Sequence, residues 1–334
     1  MTRAGVASRV RAGRFILLSG TLLVGCSTCG DGRAPPPARD RAVAGPLVVF
    51  AAGSLTRPLR AALDSFATLE GIGVELESAG SLETARKLTD LGRIPDVIAL
   101  ADRELFPRLL IPAHGTWYVA FARGRMVLAY TDRSRGAADM RGDRWTDVLQ
   151  RSGVEVGRSD PDRDPAGYRA LIAMRLAERH YARRGLADRL LATAPLRNVR
   201  PKSSDLVGLL QAGELDYIWV YESVARAAGL RAFELPSRVN LGARVDSAFY
   251  AGTTLRVMGA SVRDTLEVRG EPIVFALGIP ARAPHPAAAE HFVAWLLSAA
   301  GGQTLRAWHV DVLDRAELVG TGAPPSVVRA LGTQ

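Results

Sequence analysis

Cysteine is nearly absent: the 334-residue chain has two, Cys26 and Cys29, three positions apart near its start. No disulfide framework can therefore brace the body of the chain, and a hydrophobic core has to hold it. Lysine is as scarce, with Lys87 and Lys202 the only examples, so arginine carries almost all the positive charge. Those arginines form no clustered stripe interleaved with aromatic residues, which excludes the usual footprint of a nucleic-acid binder. The five histidines, His114, His180, His285, His291 and His309, show neither paired metal-ligand spacing nor the company of a Ser/His/Asp triad. A P-loop and a nucleophile elbow are both missing. Asp160, Asp162 and Asp164 alternate like the start of a calcium loop, but the glycine and terminal glutamate such a loop needs do not follow. An enzyme is not expected.

Long apolar runs are lacking too. The run Phe15–Val24 is too short to span a bilayer as a stable helix, and it follows Arg3, Arg9, Arg11 and Arg14, the arrangement of a secretory leader. Its end, Leu23-Val24-Gly25-Cys26, resembles a bacterial lipobox. That resemblance implies cleavage before Cys26 and lipidation of Cys26, leaving a soluble but tethered protein. Removal of the leader would leave 309 residues, enough for two domains with substantial cores. The formal net charge of +9 would fall to +5 with the four leader arginines gone. Scattered positive charge of that size reads as a solvated surface, with steering of a small anion as the alternative.

After a Pro-rich tether over residues 26–45 (Ala34-Pro35-Pro36-Pro37), a βα alternation begins. Leu47–Ala52 reads as a short buried strand, Leu55, Leu59, Leu63 and Phe66 follow helical spacing, Val74 and Leu76 alternate, and Val97–Leu100 is a third strand. This predicts an α/β fold built on a parallel sheet with helices on both faces. Two apolar runs between Trp117 and Tyr130, split by Arg123-Gly124-Arg125, suggest a crossing into a second lobe. The expected division is residues 1–25 leader, 26–45 tether, 46–117 first part of lobe 1, 118–272 lobe 2, and 273–334 the return to lobe 1. Two crossings make a hinged clamshell.

Three points along the chain repeat one local design. Asp164 precedes Pro165 and a helically spaced apolar stretch, so it should cap a helix N-terminus with proline at the first helical position. Gly53-Ser54 and Gly80-Ser81 each follow an apolar strand and open a helix. Such termini present free N–H groups and hydroxyls and attract anions, and three of them facing one cleft would make an oxyanion site. Each of these residues has a plain alternative: Asp164, Ser54, Ser81 and Ser203 all stand where a cap alone would explain them. Tyr221 could equally be a half-buried strand aromatic, and Arg200 and Lys202 a solvated rim.

Taken in order, the segments Phe50-Ala51-Ala52-Gly53-Ser54-Leu55, Ser78-Ala79-Gly80-Ser81, Pro95–Asp102, Ser159–Arg169, Arg200-Pro201-Lys202 with Asp205–Leu209, and Leu215–Tyr221 resemble the extracellular solute-binding proteins of ABC transporters, most closely their molybdate/tungstate-binding branch. The resemblance implies a two-lobed type II periplasmic-binding-protein fold with the ligand cleft between the lobes. It also implies Ser54 and Ser81 as ligands from one lobe, and Asp164, the backbone near Ala166, and Tyr221 from the other. One position departs from the pattern: Ser203 stands where that branch has a coordinating glutamate, which puts six-coordinate binding in doubt. A carboxylate beside a dianion is repulsive unless it is protonated or bonds a central atom able to take another ligand. Molybdenum and tungsten can do so and sulfur cannot, so an Asp164 that faces the ligand favours a metal oxyanion, or a protonated one such as hydrogen phosphate, over sulfate, while Ser203 suits an ordinary tetrahedral oxyanion. Glu222, next to Tyr221, should point to the opposite face of its strand and is no substitute.

The expected function is a lipid-anchored, monomeric receptor that closes on a tetrahedral oxyanion, molybdate or tungstate, and passes it to an ABC permease driven by a separate ATPase. It needs no cofactor and no nucleic acid. A sulfate- or phosphate-type receptor, or a sensory or interaction lipoprotein of the same fold, is the alternative. If lipid on Cys26 supplies the anchor, Cys26→Ser should fold normally yet move from the membrane pellet to the soluble fraction. A Cys26→Ser variant that still pelleted with membranes would contradict the anchor.

Overall fold

The computed structural model describes residues 45–261 and 263–332; the leader, Cys26 and the rest of the tether lie outside the described residues. Thirteen strands form three sheets in the described residues. β1 (Leu47–Ala52), β2 (Val74–Ala79), β3 (Val97–Leu100), β4 (Trp117–Gly124), β12 (Ile273–Gly278) and β13 (Asp311–Gly320) make a six-stranded sheet in the order β13-β4-β12-β3-β1-β2. β5 (Met126–Tyr130), β6 (Val156–Ser159), β7 (Val199–Arg200), β8 (Tyr217–Tyr221) and β9 (Arg231–Glu234) make the second sheet, ordered β7-β6-β8-β5-β9. β10 (Thr254–Met258) and β11 (Thr265–Arg269) form a separate antiparallel ribbon. Two sheets with their own helices, joined by two crossings, are a two-lobed α/β fold.

The first sheet is mixed, where the apolar pattern suggests a parallel one. β1, β2 and β3 run parallel, but β12 is antiparallel to both β3 and β4, and β13 is antiparallel to β4. Apolar periodicity reports burial and carries no sign of direction, so a strand that returns from the other lobe reads like any other. The first crossing also falls later than residue 118. β4, from Trp117 to Gly124, pairs with β12 and β13 in the first lobe, and only after Arg125 does β5 join β8 and β9.

Local chemistry explains the helices that matter to the site. α1 (Thr56–Glu70) buries Pro58, Leu59, Ala62, Leu63 and Phe66 along one stripe, and Phe66 meets Phe292 edge-on at 5.3 Å. It stops at Gly71, whose φ of 66° is easy only for glycine. α2 (Ser81–Thr89) opens directly after Gly80, and a short α3 (Trp145–Leu149) sits under the second sheet with Trp145 edge-on to Trp219. α4 (Pro165–Tyr181) begins with Asp164 as N-cap, its side chain accepting from Ala166 N, and Pro165 at the first position. Residues Pro165 to Ala170 are all buried, so this end of α4 is enclosed on every side.

That enclosure requires a glycine. A methyl group on Gly167 would lie 2.6 Å from the backbone at Ser159, Asp160 and Pro161, so α4 packs against the end of β6 with no room for a side chain. Gly167→Ala should cost about 1–3 kcal/mol of stability by overpacking, despite alanine's better helix propensity. Denaturant unfolding that left the variant as stable as the parent would contradict this close approach.

Candidate functional site

The predicted residues are drawn together where the lobes meet. Asp164 is 3 % exposed, and both of its oxygens are engaged: Oδ1 accepts the amide of Ala166 at 3.3 Å and Oδ2 the amide of Ser203 at 2.8 Å. The cap therefore fastens the loop before α6 (Asp205–Ala212) to the start of α4, and the Ala166 amide is taken by Asp164. Burial pushes the Asp164 carboxyl above its usual range, opposed by the amides of Ser203 and Ala166 and by the nearby hydroxyls of Ser159 and Ser203.

The first lobe closes on this cap. A methyl group on Gly80 would stand 2.2 Å from the Arg163 carbonyl oxygen and 3.0 Å from Asp164 Cα, and the amides of Leu82 and Glu83 at the N-terminus of α2 donate to that carbonyl at 3.0 and 3.2 Å. A methyl on Gly53 would meet Lys202 Cδ at 3.0 Å and Ser204 Oγ at 3.2 Å. Arg86 of α2 donates across the cleft to the carbonyls of Asp162, Met258 and Gly259. The lobes are closed.

Within this closed region the hydroxyls divide into two groups. Ser81, fully buried, accepts the Ala101 amide at 2.9 Å, and Tyr221, at the end of β8, accepts from Arg169 Nη1 at 2.7 Å. Ser54, Ser159 and Ser203 are also buried, yet their hydroxyls make no well-formed hydrogen bond in the protein, those of Ser159 and Ser203 having only the Asp164 carboxylate beside them. Leaving a buried hydroxyl unsatisfied costs about 1–3 kcal/mol, so these hydroxyls mark a place built for something else to bond. A cavity of about 130 Å³ lies alongside, lined from one lobe by Ser54, Arg57 and Trp308 and from the other by Lys202, Ser204 and Ser223.

Lys202 lines that cavity and pairs with Asp205 at 3.8 Å, whereas Arg200 turns its guanidinium onto the carbonyls of Arg197 and Val199. Glu222 pairs with Arg125 and Arg226. Sequence reasoning misses four residues here: Ser159, Asp102, Tyr168 and Arg169. Arg169 and Asp102 form a buried ion pair at 3.2 Å with side chains 3 % and 7 % exposed, and the Tyr168 hydroxyl donates to the same Asp102 oxygen. The signal in sequence is a charged residue inside the otherwise apolar first turns of α4. Its partner lies 67 residues away on the other lobe. Among the described residues no group of three or more His, Cys, Asp or Glu is gathered to hold a metal ion.

Contrary to the expectation of free N–H groups, the first amides of α2 and α4 are taken by Arg163 and Asp164, so the site of this two-lobed binding protein rests on closed lobes and buried hydroxyls. Residues 47–310 match the family model for bacterial extracellular solute-binding proteins, and the chain belongs to that family, whose members bind solutes without transforming them. A solute-binding protein of Petrotoga mobilis is 40 % identical over 86 % of this chain and 85 % of its own. The molybdate/tungstate-binding protein WtpA of Pyrococcus abyssi is 32 % identical over 80 % of this chain and 84 % of its own. The periplasmic molybdate-binding protein of Azotobacter vinelandii shares the fold, with a TM-score of 0.57 at 18 % identity over 80 % of this chain and all of its own. Among the described residues no helix is long and apolar enough to cross a membrane.

Beside the buried pair, Glu271 stands just before β12 at the second crossing. Burial, then the carboxylates of Asp102 and Glu104, pushes its carboxyl from 4.5 up to about 7, with Arg169 and Arg108 opposing. A carboxyl raised on folding adds stability below its unfolded pKa and loses it as pH rises through the folded value. Glu271→Gln, which mimics the protonated form, should thus be more stable than the parent above pH 7, and the gap should close below about pH 4.5. Thermal melts across that range check this; a gap that stayed constant with pH would contradict it.

Proposed function

We propose that this protein captures a tetrahedral oxyanion, molybdate or tungstate, between its lobes and delivers it to an ABC permease. In this reading Cys26 carries a lipid that keeps the receptor at the outer face of a membrane, and the protein acts as a monomer. The observation that carries the reading is the set of buried hydroxyls without a well-formed bond, with Ser159 and Ser203 beside the capped Asp164 and Ser54 facing Lys202 and Ser204 across the cleft. An oxyanion stripped of water needs many donors at once, and closure of two lobes supplies them together. The similarity to WtpA supports the metal oxyanions in particular.

Asp164 bears on the choice among anions. Burial pushes its carboxyl up, and both of its oxygens already accept backbone amides, so it is committed to the cap and not free to bond molybdenum or tungsten as an added ligand. Ser203 supplies no carboxylate in its place, so four-coordinate binding is the expected geometry. That favours one further reading, a sulfate-type receptor, since sulfate is the same shape and also needs no coordinating carboxylate.

Calorimetric titration with molybdate, tungstate, sulfate and phosphate tests the proposal. The metal oxyanions should bind most tightly, and Ser54→Ala should weaken them roughly 10- to 150-fold, the loss of a hydrogen bond to a charged group of about 1.5–3 kcal/mol. Ser203→Glu should lower the stability of the ligand-free protein, by placing a second carboxylate beside Asp164, and raise the preference for tungstate over sulfate. Sulfate binding more tightly than tungstate would select the sulfate reading. Heat from none of the four would reject the oxyanion receptor.

A further inference from the structure

Arg169 touches the proposed ligand residue Tyr221 of its own lobe and, across the cleft, Ala101 and Asp102 of the first lobe. Its Nη1 donates to the Tyr221 hydroxyl at 2.7 Å and to the Ala101 carbonyl at 2.5 Å, and its Nη2 lies 3.2 Å from Asp102 Oδ2. Ala101 in turn donates its amide to Ser81 Oγ at 2.9 Å. Arg169 thus ties Tyr221 to Ala101 and Asp102 of the first lobe, while Ser81 is held independently by the Ala101 amide.

The direction of each bond matters. A hydroxyl has one proton. Tyr221 accepts from a guanidinium that has no acceptor to offer in return, and Ser81 accepts from an amide, so each keeps its own proton for some other acceptor. A phenol held in this way presents its proton to an oxygen that accepts, as every bare oxygen of an oxyanion does.

Resting on the reading that an oxyanion fills this cleft, we propose that Arg169 is a positioning residue that fixes Tyr221 as a donor toward an oxyanion oxygen and, through Asp102, latches the closed lobes. Asp102 suits the latch. One of its oxygens accepts the Glu104 amide at 3.0 Å and the other takes both α4 partners, Tyr168 and Arg169, so opening the cleft breaks every contact it makes to the second lobe. A buried pair of this kind adds little net stability but is costly to form out of register, which suits it to defining one closed arrangement.

A double-mutant cycle on tungstate affinity tests the positioning role, with thermal melts to confirm folding. Tyr221→Phe alone should weaken binding tenfold or more; in an Arg169→Met background the same change should cost less than threefold, because the phenol is no longer oriented. Arg169→Lys, which keeps the charge but cannot make the forked contacts, should behave like Arg169→Met. Effects of Tyr221→Phe that are equal in both backgrounds would overturn the positioning role, leaving Arg169 as a structural residue. The latch is read without ligand: small-angle scattering should give a larger radius of gyration for Asp102→Asn than for the parent, and equal radii would overturn it. A parent that binds no oxyanion while Asp102→Asn still expands would reject the oxyanion reading and with it the donor role, and would leave the latch standing.

Discussion

The carboxylate of Asp164 holds the site together. It caps α4 and receives the Ser203 amide from the loop before α6, while the backbone of Asp164 lies against Gly80 of the opposite lobe. Because both oxygens are used, an amide side chain is a poor stand-in. Asparagine has one acceptor oxygen, and its NH₂ would face the N–H of either Ala166 or Ser203. Capping and ligand binding therefore cannot be separated at this position by the usual isosteric change. Ser54 and Ser203, whose hydroxyls make no well-formed bond, separate them better.

Closure here depends on backbone meeting backbone. Gly80 lies against the Arg163 carbonyl, where a side chain would hold the lobes apart, and Gly53 lies against the side chains of Lys202 and Ser204. The bonds that span the cleft use main-chain groups heavily: the α2 amides to Arg163, and Arg86 to the carbonyls of residues 162, 258 and 259. Such contacts fix distance closely while leaving the hydroxyls free to bond a ligand. The aromatic contact between Tyr221 and Phe275, with ring centres 5.5 Å apart, adds an apolar seam on which the second lobe rests.

What the sequence reveals of this arrangement is local. Asp164 is legible as a cap because an Asp-Pro pair before an apolar helix has a short-range grammar, and Gly53-Ser54 and Gly80-Ser81 are legible as strand-to-helix turns for the same reason. The Arg169–Ala101 bond joins residues 68 apart, and no local pattern encodes it. β4 and β5 are two similar apolar runs in succession; which lobe each joins is decided by β12 and β8, far along the chain, so the crossing reads several residues early. The direction of β12 is hidden likewise. Ser159 escapes notice because a serine at a strand end is ordinary until the structure leaves its hydroxyl without a well-formed bond beside Asp164.

The central claim is that one oxyanion is held by donors from both lobes around the Asp164 cap. A crystal structure with tungstate, located by the anomalous scattering of tungsten, tests it most directly. The account predicts a four-coordinate anion between the Gly53-Ser54 and Gly80-Ser81 turns on one side and Asp164, Ser203 and Tyr221 on the other. A tungsten atom contacted by one lobe alone would contradict it.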